Sequence, residues 1–169
     1  LGRLHEKKGV DLLIDAYREW ENPADCRLVL AGPGTPPVVP EAVRSRVHLT
    51  GMVEGTEKWS LLRHADAFIL PSHQDNFGVA VVEALAAGTP VLISDKVNIF
   101  REIRDAGAGL VDDDTPRGAR NLLERWGAFT PDDKAGMRQR AGRLFAERFE
   151  VRRAAADLEA KLLNPNAKT

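Results

Sequence analysis

The sequence predicts a three-layer α/β sandwich on a mostly parallel sheet of about six strands, with helices taking over at the carboxyl end. Three observations predict it. Short apolar runs alternate with helical segments from Leu1 to Val111. One stretch, Pro71 to Pro90, joins two such runs, Ala67-Phe68-Ile69-Leu70 and Val91-Leu92-Ile93, through an apolar helical segment. That pattern is a strand–loop–helix–strand unit, the mark of a right-handed parallel crossover. The loops that follow the apolar runs are rich in glycine and charge, as expected where ligands bind outside the carboxyl ends of parallel strands.

Taken in order, Leu1-Gly2-Arg3 reads as the end of a strand. The basic, glycine-bounded loop Gly2 to Gly9 leads into a helix from about Val10 to Trp20, striped by Val10, Leu13, Ala16, Tyr17 and Trp20. Glu21-Asn22-Pro23 breaks it. Arg27 to Ala31 forms a strand ended by Gly32-Pro33-Gly34. A short helix is expected near Pro40 to Arg44 and a strand at Val47 to Thr50, followed by the two-glycine loop Gly51 to Gly55. Thr56 is expected to cap a helix from about Glu57 to His64, with Trp59, Leu62 and Ala65 inward.

The next helix, Phe77 to Ala87, is apolar on nearly every face and is therefore expected to be buried, with Gly88 and Pro90 ending it. Val91 to Ser94, a helix near Asn98 to Ala106, and a minimal strand at Leu110-Val111 follow. Thr115-Pro116 and Thr130-Pro131 start two further helices, each with a capping threonine and a proline in the first turn. A last helix is expected over Val151 to Leu163, with a polar tail from Asn164 to Thr169.

At 169 residues the chain fits one domain, 1–169, able to bury a sizeable core. Its formal net charge of -1 points to neither a nucleic-acid nor a membrane-surface partner. With a single cysteine, Cys26, no intrachain disulfide can form. No apolar run approaches membrane-spanning length and no signal peptide is visible, so the expected location is cytoplasmic or peripheral to a membrane. No initiator methionine opens the chain, and a fragment of a longer protein is expected.

One residue is out of place in this pattern. Glu83 is the only charge on the apolar helix, and a carboxylate there is expensive unless something polar meets it. Gly78 stands in the first turn, where free backbone N–H groups and the helix dipole favour an anion, phosphate above all. Two readings stay open for Glu83: a ligand contact, or a core carboxylate paired with an arginine of the same chain. Arg3 and Lys8 likewise read either as an anion clamp or as a solvated surface loop beside Glu6 and Lys7. Asp112-Asp113-Asp114 reads as a solvated acidic loop ahead of a helix. No metal-ligand spacing of His or Cys is present, and no metal is expected.

The chain resembles the carboxy-terminal half of family 4 (group 1) retaining glycosyltransferases. The resemblance rests on Gly2-Arg3 with Lys8-Gly9, Leu30-Ala31-Gly32 with Gly34, and Gly51-Met52-Val53. It continues through Ala65-Asp66-Ala67, Pro71-Ser72, Asn76-Phe77-Gly78, Glu83-Ala84-Leu85-Ala86 and Gly88-Thr89-Pro90-Val91. It covers nearly the whole chain. It implies a Rossmann-like domain, one half of the two-domain GT-B architecture, that binds a nucleotide-sugar donor, while a missing amino-terminal domain binds the acceptor.

The resemblance implies roles for individual residues. Arg3 and Lys8 would meet the donor diphosphate, and fixed cations there stabilise the charge that grows on the leaving group. Glu83 would accept hydrogen bonds from the vicinal ribose hydroxyls. Gly2, Asn76 and the backbone N–H groups of Phe77, Gly78 and Val79 would line the phosphate and sugar. The loop from Gly51 through Met52 to Val53 would touch the base through main-chain groups, its side chains providing packing. Eight positions before Glu83 the family carries an acid, usually glutamate, that meets the sugar; here it is Asp75. Its reach is shorter by about 1.5 Å. Asp75 therefore also reads as a helix cap. His73, Gln74, Asp95, Lys96 and Asn98 are second-rank candidates at the same edge.

The function expected is the donor half of a retaining glycosyltransferase, with the nucleotide-sugar as substrate, no cofactor, and little activity from this half alone. A non-catalytic nucleotide-binding or regulatory module on the same fold is the alternative. A response-regulator-like domain would want paired acids where Arg3 and Lys8 stand. A dinucleotide oxidoreductase would want an early G-x-G-x-x-G, which is missing.

Overall fold

The computed structural model describes residues 1–21 and 26–150. The helix expected over Val151 to Leu163 lies outside them. Within the described residues, five parallel strands alternate with helices. They are β1 (Leu28–Ala31), β2 (Val47–Gly51), β3 (Phe68–Leu70), β4 (Val91–Ser94) and β5 (Gly109–Asp112). The helices are α1 (Val10–Glu19), α2 (Gly55–His64), α3 (Val79–Ala86), α4 (Phe100–Asp105), α5 (Pro116–Gly127) and α6 (Pro131–Leu144).

The strands form two ladders, β1–β2 and β3–β4–β5, all pairs parallel. The expected sheet of about six strands is thus five among the described residues. Leu1 to Arg3 does not form a strand. Gly2 N–H donates to Ala31 O at 2.8 Å and Leu4 N–H to Pro33 O at 2.7 Å, leaving an isolated parallel bridge between Leu4 and Gly34.

β4 is the centre of its sheet and all four of its residues are buried. Its neighbours in the core are Leu85 and Val81 of α3 and Ile103 of α4. Polar groups at this centre are satisfied internally, as burial demands. The Ser94 hydroxyl donates to Ser72 O, and the Thr89 hydroxyl to Leu62 O at 2.6 Å. α1 and α5 pack together under β1 and β2, where Leu13, Tyr17 and Leu123 meet Leu28 and Leu30.

Two local expectations are corrected. α2 starts at Gly55 with Glu54 as its N-cap, so Thr56 is inside the first turn rather than capping it. The left-handed turn at Gly55 brings the chain into the helix two residues early. α3 is not buried all round. Val81, Ala84 and Leu85 face the core, but Val79 is 62% exposed, and Ala80 and Glu83 are half-buried. Its remaining apolar face walls a cleft. By contrast, Thr115 and Thr130 cap α5 and α6 as expected, each accepting a backbone N–H, with a full capping box between Thr130 and Asp133.

Candidate donor-binding cleft

A cleft of about 460 Å³ opens at the carboxyl ends of β1 and β3. Its wall collects Gly2, Arg3 and Lys8 from the first loop, Val53 from the β2–α2 loop, Asp75 from the loop after β3, and Val79 and Glu83 from α3. Sequence reasoning thus named seven residues that the fold brings to one place. Gly51, Asn76, Phe77 and Gly78 do not line it. Gly51 belongs to β2, where its carbonyl accepts from Gly32 N–H at 2.7 Å. Asn76 and Phe77 are exposed beyond the α3 N-terminus, and the Gly78 N–H is already engaged.

Lys8 is fixed from both sides in sequence. Glu6 to Lys8 form a single 3₁₀ turn, started by the His5 ring accepting from Lys7 N–H at 3.2 Å. Gly9 ends it with φ +66°. A Cβ there would sit 2.0 Å from Pro71 O, so only glycine lets this loop close on the loop after β3. Lys7 O then accepts from His73 N–H at 2.9 Å and from the Ser72 hydroxyl at 2.8 Å. These bonds carry the Lys8 ammonium to 2.5 Å from Asp75 Oδ2.

Asp75 is held as firmly. Its N–H donates to Lys96 O and its carbonyl accepts from Asn98 N–H, both at 3.1 Å. Its other carboxylate oxygen, Oδ1, accepts the Gly78 N–H at 2.8 Å. Asp75 is not itself the N-cap of α3: it stands three residues ahead of the N-cap and bonds that residue's N–H. Gly78 is the N-cap of α3 at φ +65°, and a Cβ there would lie 3.0 Å from Val97 Cγ1.

Across the cleft, Glu83 Oε1 meets Lys58 Nζ at 2.7 Å, with both side chains about a quarter exposed. The partner of the odd carboxylate is therefore a lysine of α2 at the cleft wall, not an arginine in the core. Lys58 was missed from the sequence, as was Glu54; Met52, in the Gly51 to Val53 loop expected at the base, also lines the wall. The signal available was the requirement that Glu83 have a cation. Arg3 is exposed and, among the described residues, has no ion-pair partner.

The second-rank residues cluster beside the cleft without lining it. The His73 ring meets Asp114 Oδ2 at 2.9 Å, and Lys96 lies 3.6 Å from the other oxygen. The hydrogen bond to His73 holds the Asp114 carboxyl below its ordinary range, and Asp95 pushes Lys96 up. The acidic run is therefore not simply a solvated loop. Asp114 clasps the loop after β3, and Asp113 accepts from the Thr115 hydroxyl at 2.5 Å.

Solved structures of glycosyltransferases share this arrangement of parallel strands and helices. The Anabaena protein Alr3699/HepE, solved in complex with UDP and glucose, aligns at a TM-score of 0.77 and 18% identity, over 96% of this chain and 47% of that one. The C-terminal domain of the group 1 glycosyltransferase LpcC of Francisella tularensis aligns at 0.73 and 17% identity, over 89% of this chain and 84% of that domain. The fold is that of a GT-B glycosyltransferase domain. The family described as "Glycosyl transferases group 1" matches residues 1–125, and the chain belongs to it.

Among curated relatives, a GDP-mannose-dependent alpha-(1-6)-phosphatidylinositol dimannoside mannosyltransferase of Mycobacterium tuberculosis is 32% identical over 165 residues. That alignment covers 95% of this chain and 42% of the relative. The chain spans less than half the length of this and the other curated relatives it matches.

Proposed function

We propose that this chain is the donor-binding domain of a retaining glycosyltransferase, and that the cleft takes a nucleoside diphosphate sugar. The observation that carries this reading is the meeting, in one cleft at the ends of parallel strands, of three cations with the lone acid of α3. Arg3 and Lys8 take the diphosphate. Glu83, oriented by Lys58, accepts from the two ribose hydroxyls. Val53 packs against the base. Gly2 and Val79 let the ligand approach the backbone, and the free N–H groups of the first turn of α3 add their dipole. Gly51, Asn76 and Phe77 flank this seat. One relative named above is GDP-mannose-dependent and the HepE structure holds UDP and glucose, so the class rather than the base is proposed.

Chemistry follows from charge. The bond from the anomeric carbon to the diphosphate breaks, the diphosphate leaves with growing negative charge, and the carbon becomes oxocarbenium-like. Arg3 and Lys8 stabilise the first change, and Asp75 is the acid nearest the second. The acceptor, a saccharide or lipid-linked glycan, approaches from a partner domain amino-terminal to this one, and closure of the two domains excludes water. No metal or other cofactor takes part.

Calorimetric titration with UDP, GDP and ADP, beside the Glu83→Ala variant, tests this reading. One nucleotide should bind saturably and lose at least tenfold in affinity in the variant, about 1.4 kcal/mol. Equal binding by both proteins would remove Glu83 from the site. A non-catalytic nucleotide-binding module on the same fold has one observation in its favour, the commitment of Asp75 to Lys8 and Gly78. Binding without glycosyl transfer or donor hydrolysis by the full-length protein would select it.

A further inference from the structure

The cleft is charge-balanced before any ligand arrives. Its wall carries Arg3, Lys8 and Lys58 against Glu54, Asp75 and Glu83. A diphosphate entering such a site finds little surplus positive charge. The balance is also specific. Asp75 places one carboxylate oxygen 2.5 Å from the Lys8 ammonium and the other 2.8 Å from the Gly78 N–H at the start of α3. A cation and a helix-terminal amide are the two donors a phosphate group would use.

We infer that Asp75 is an internal counter-anion seated where the donor diphosphate binds, and that donor binding must displace it from Lys8. This rests on the donor-site reading above and deepens it. The shortness of the side chain is the cause. An aspartate whose backbone is pinned to Lys96 and Asn98 keeps its carboxylate at the helix start, within reach of Lys8. Displacement restores a full positive charge to Lys8 for the diphosphate. It also turns a carboxylate toward the sugar at the moment the leaving group is held. Asp75 thus lowers affinity for the donor and couples donor binding to the presentation of an acid.

Asparagine separates these roles, because its side-chain oxygen still accepts the Gly78 N–H but no longer neutralises Lys8. The chain, its Asp75→Asn and Lys8→Ala variants and the double variant are titrated with UDP, GDP, ADP and inorganic pyrophosphate. Thermal unfolding of each variant confirms that the fold is kept. Asp75→Asn should bind the preferred nucleotide and pyrophosphate about tenfold more tightly than wild type, with a gain that shrinks as salt rises. Lys8→Ala should bind more weakly, and the double variant should bind as Lys8→Ala does. Unchanged or weaker binding by Asp75→Asn would overturn the inference while leaving the donor site intact. A gain that persists without Lys8 would overturn it too, since it would then be a general field effect. If neither wild type nor Asp75→Asn binds any of the four ligands, the donor-site reading falls and takes this inference with it.

Discussion

β2 and β4 are strands of similar length with opposite surroundings. Every residue of β4 is buried, whereas in β2 only Val47 is and the other four are exposed. The same contrast runs through the cleft. Asp75, Glu83 and Lys58 hang on the β3–β4–β5 half, where the α2 and α3 helices share a core with the sheet. Arg3 and Lys8 hang on a loop beside the β1–β2 half and reach the other half through Lys7 O and the Lys8–Asp75 pair. The difference teaches that this site joins two kinds of support: the rigid half, whose central strand is wholly buried, brings Asp75, Glu83 and Lys58, and a loop tied to that half through Lys7 O and the Lys8–Asp75 pair brings Arg3 and Lys8.

The contrast breaks most directly in paired truncations. Ile93→Ala removes a fully buried side chain from β4 and should cost about 3–4 kcal/mol in chemical denaturation. Leu49→Ala, on a residue of β2 that is 46% exposed, should stay within about 0.5 kcal/mol. Similar losses at both positions would mean that β2 is covered by something and is not a thin edge.

The rigid half was the more legible in the sequence. Phe68 to Leu70 and Val91 to Ser94 are short apolar runs closed by prolines and polar residues, and a strand buried on both faces has no other pattern. Glu83 was legible by its isolation in an apolar helix. Its partner was not, because Lys58 reaches it only through the docking of α2 on α3, and nothing local encodes that. The exposed face of α3 was misread for a related reason: an apolar surface that walls a cleft looks like core in one dimension. Asp114 was read as solvated because its partners, His73 and Lys96, lie on other loops. Local sequence encodes strands, caps and turns here; the ion pairs that arm the cleft are tertiary.

The smallest effect lies in the clasp beside the cleft. His73 is bonded to Asp114 at 2.9 Å, and that bond holds the Asp114 carboxyl below its ordinary value of 3.8. A carboxyl with a depressed folded pKa stabilises the fold above its unfolded value and loses that contribution as pH falls through the folded one. His73→Ala should therefore cost about 0.5 kcal/mol near neutral pH, as partly exposed pairs do, and nothing in strong acid. Carbon-detected NMR titration should show the Asp114 midpoint moving up in the variant, while the Asp133 midpoint, lowered by its own capping contacts with Thr130, stays where it is. An Asp114 midpoint that does not move would shift the work to Lys96, which lies 3.6 Å from the second carboxylate oxygen. The clasp would then tie the start of α5 to the β4–α4 loop rather than to the loop that carries Asp75, which Lys7 O, Lys96 O and Asn98 N–H would still hold.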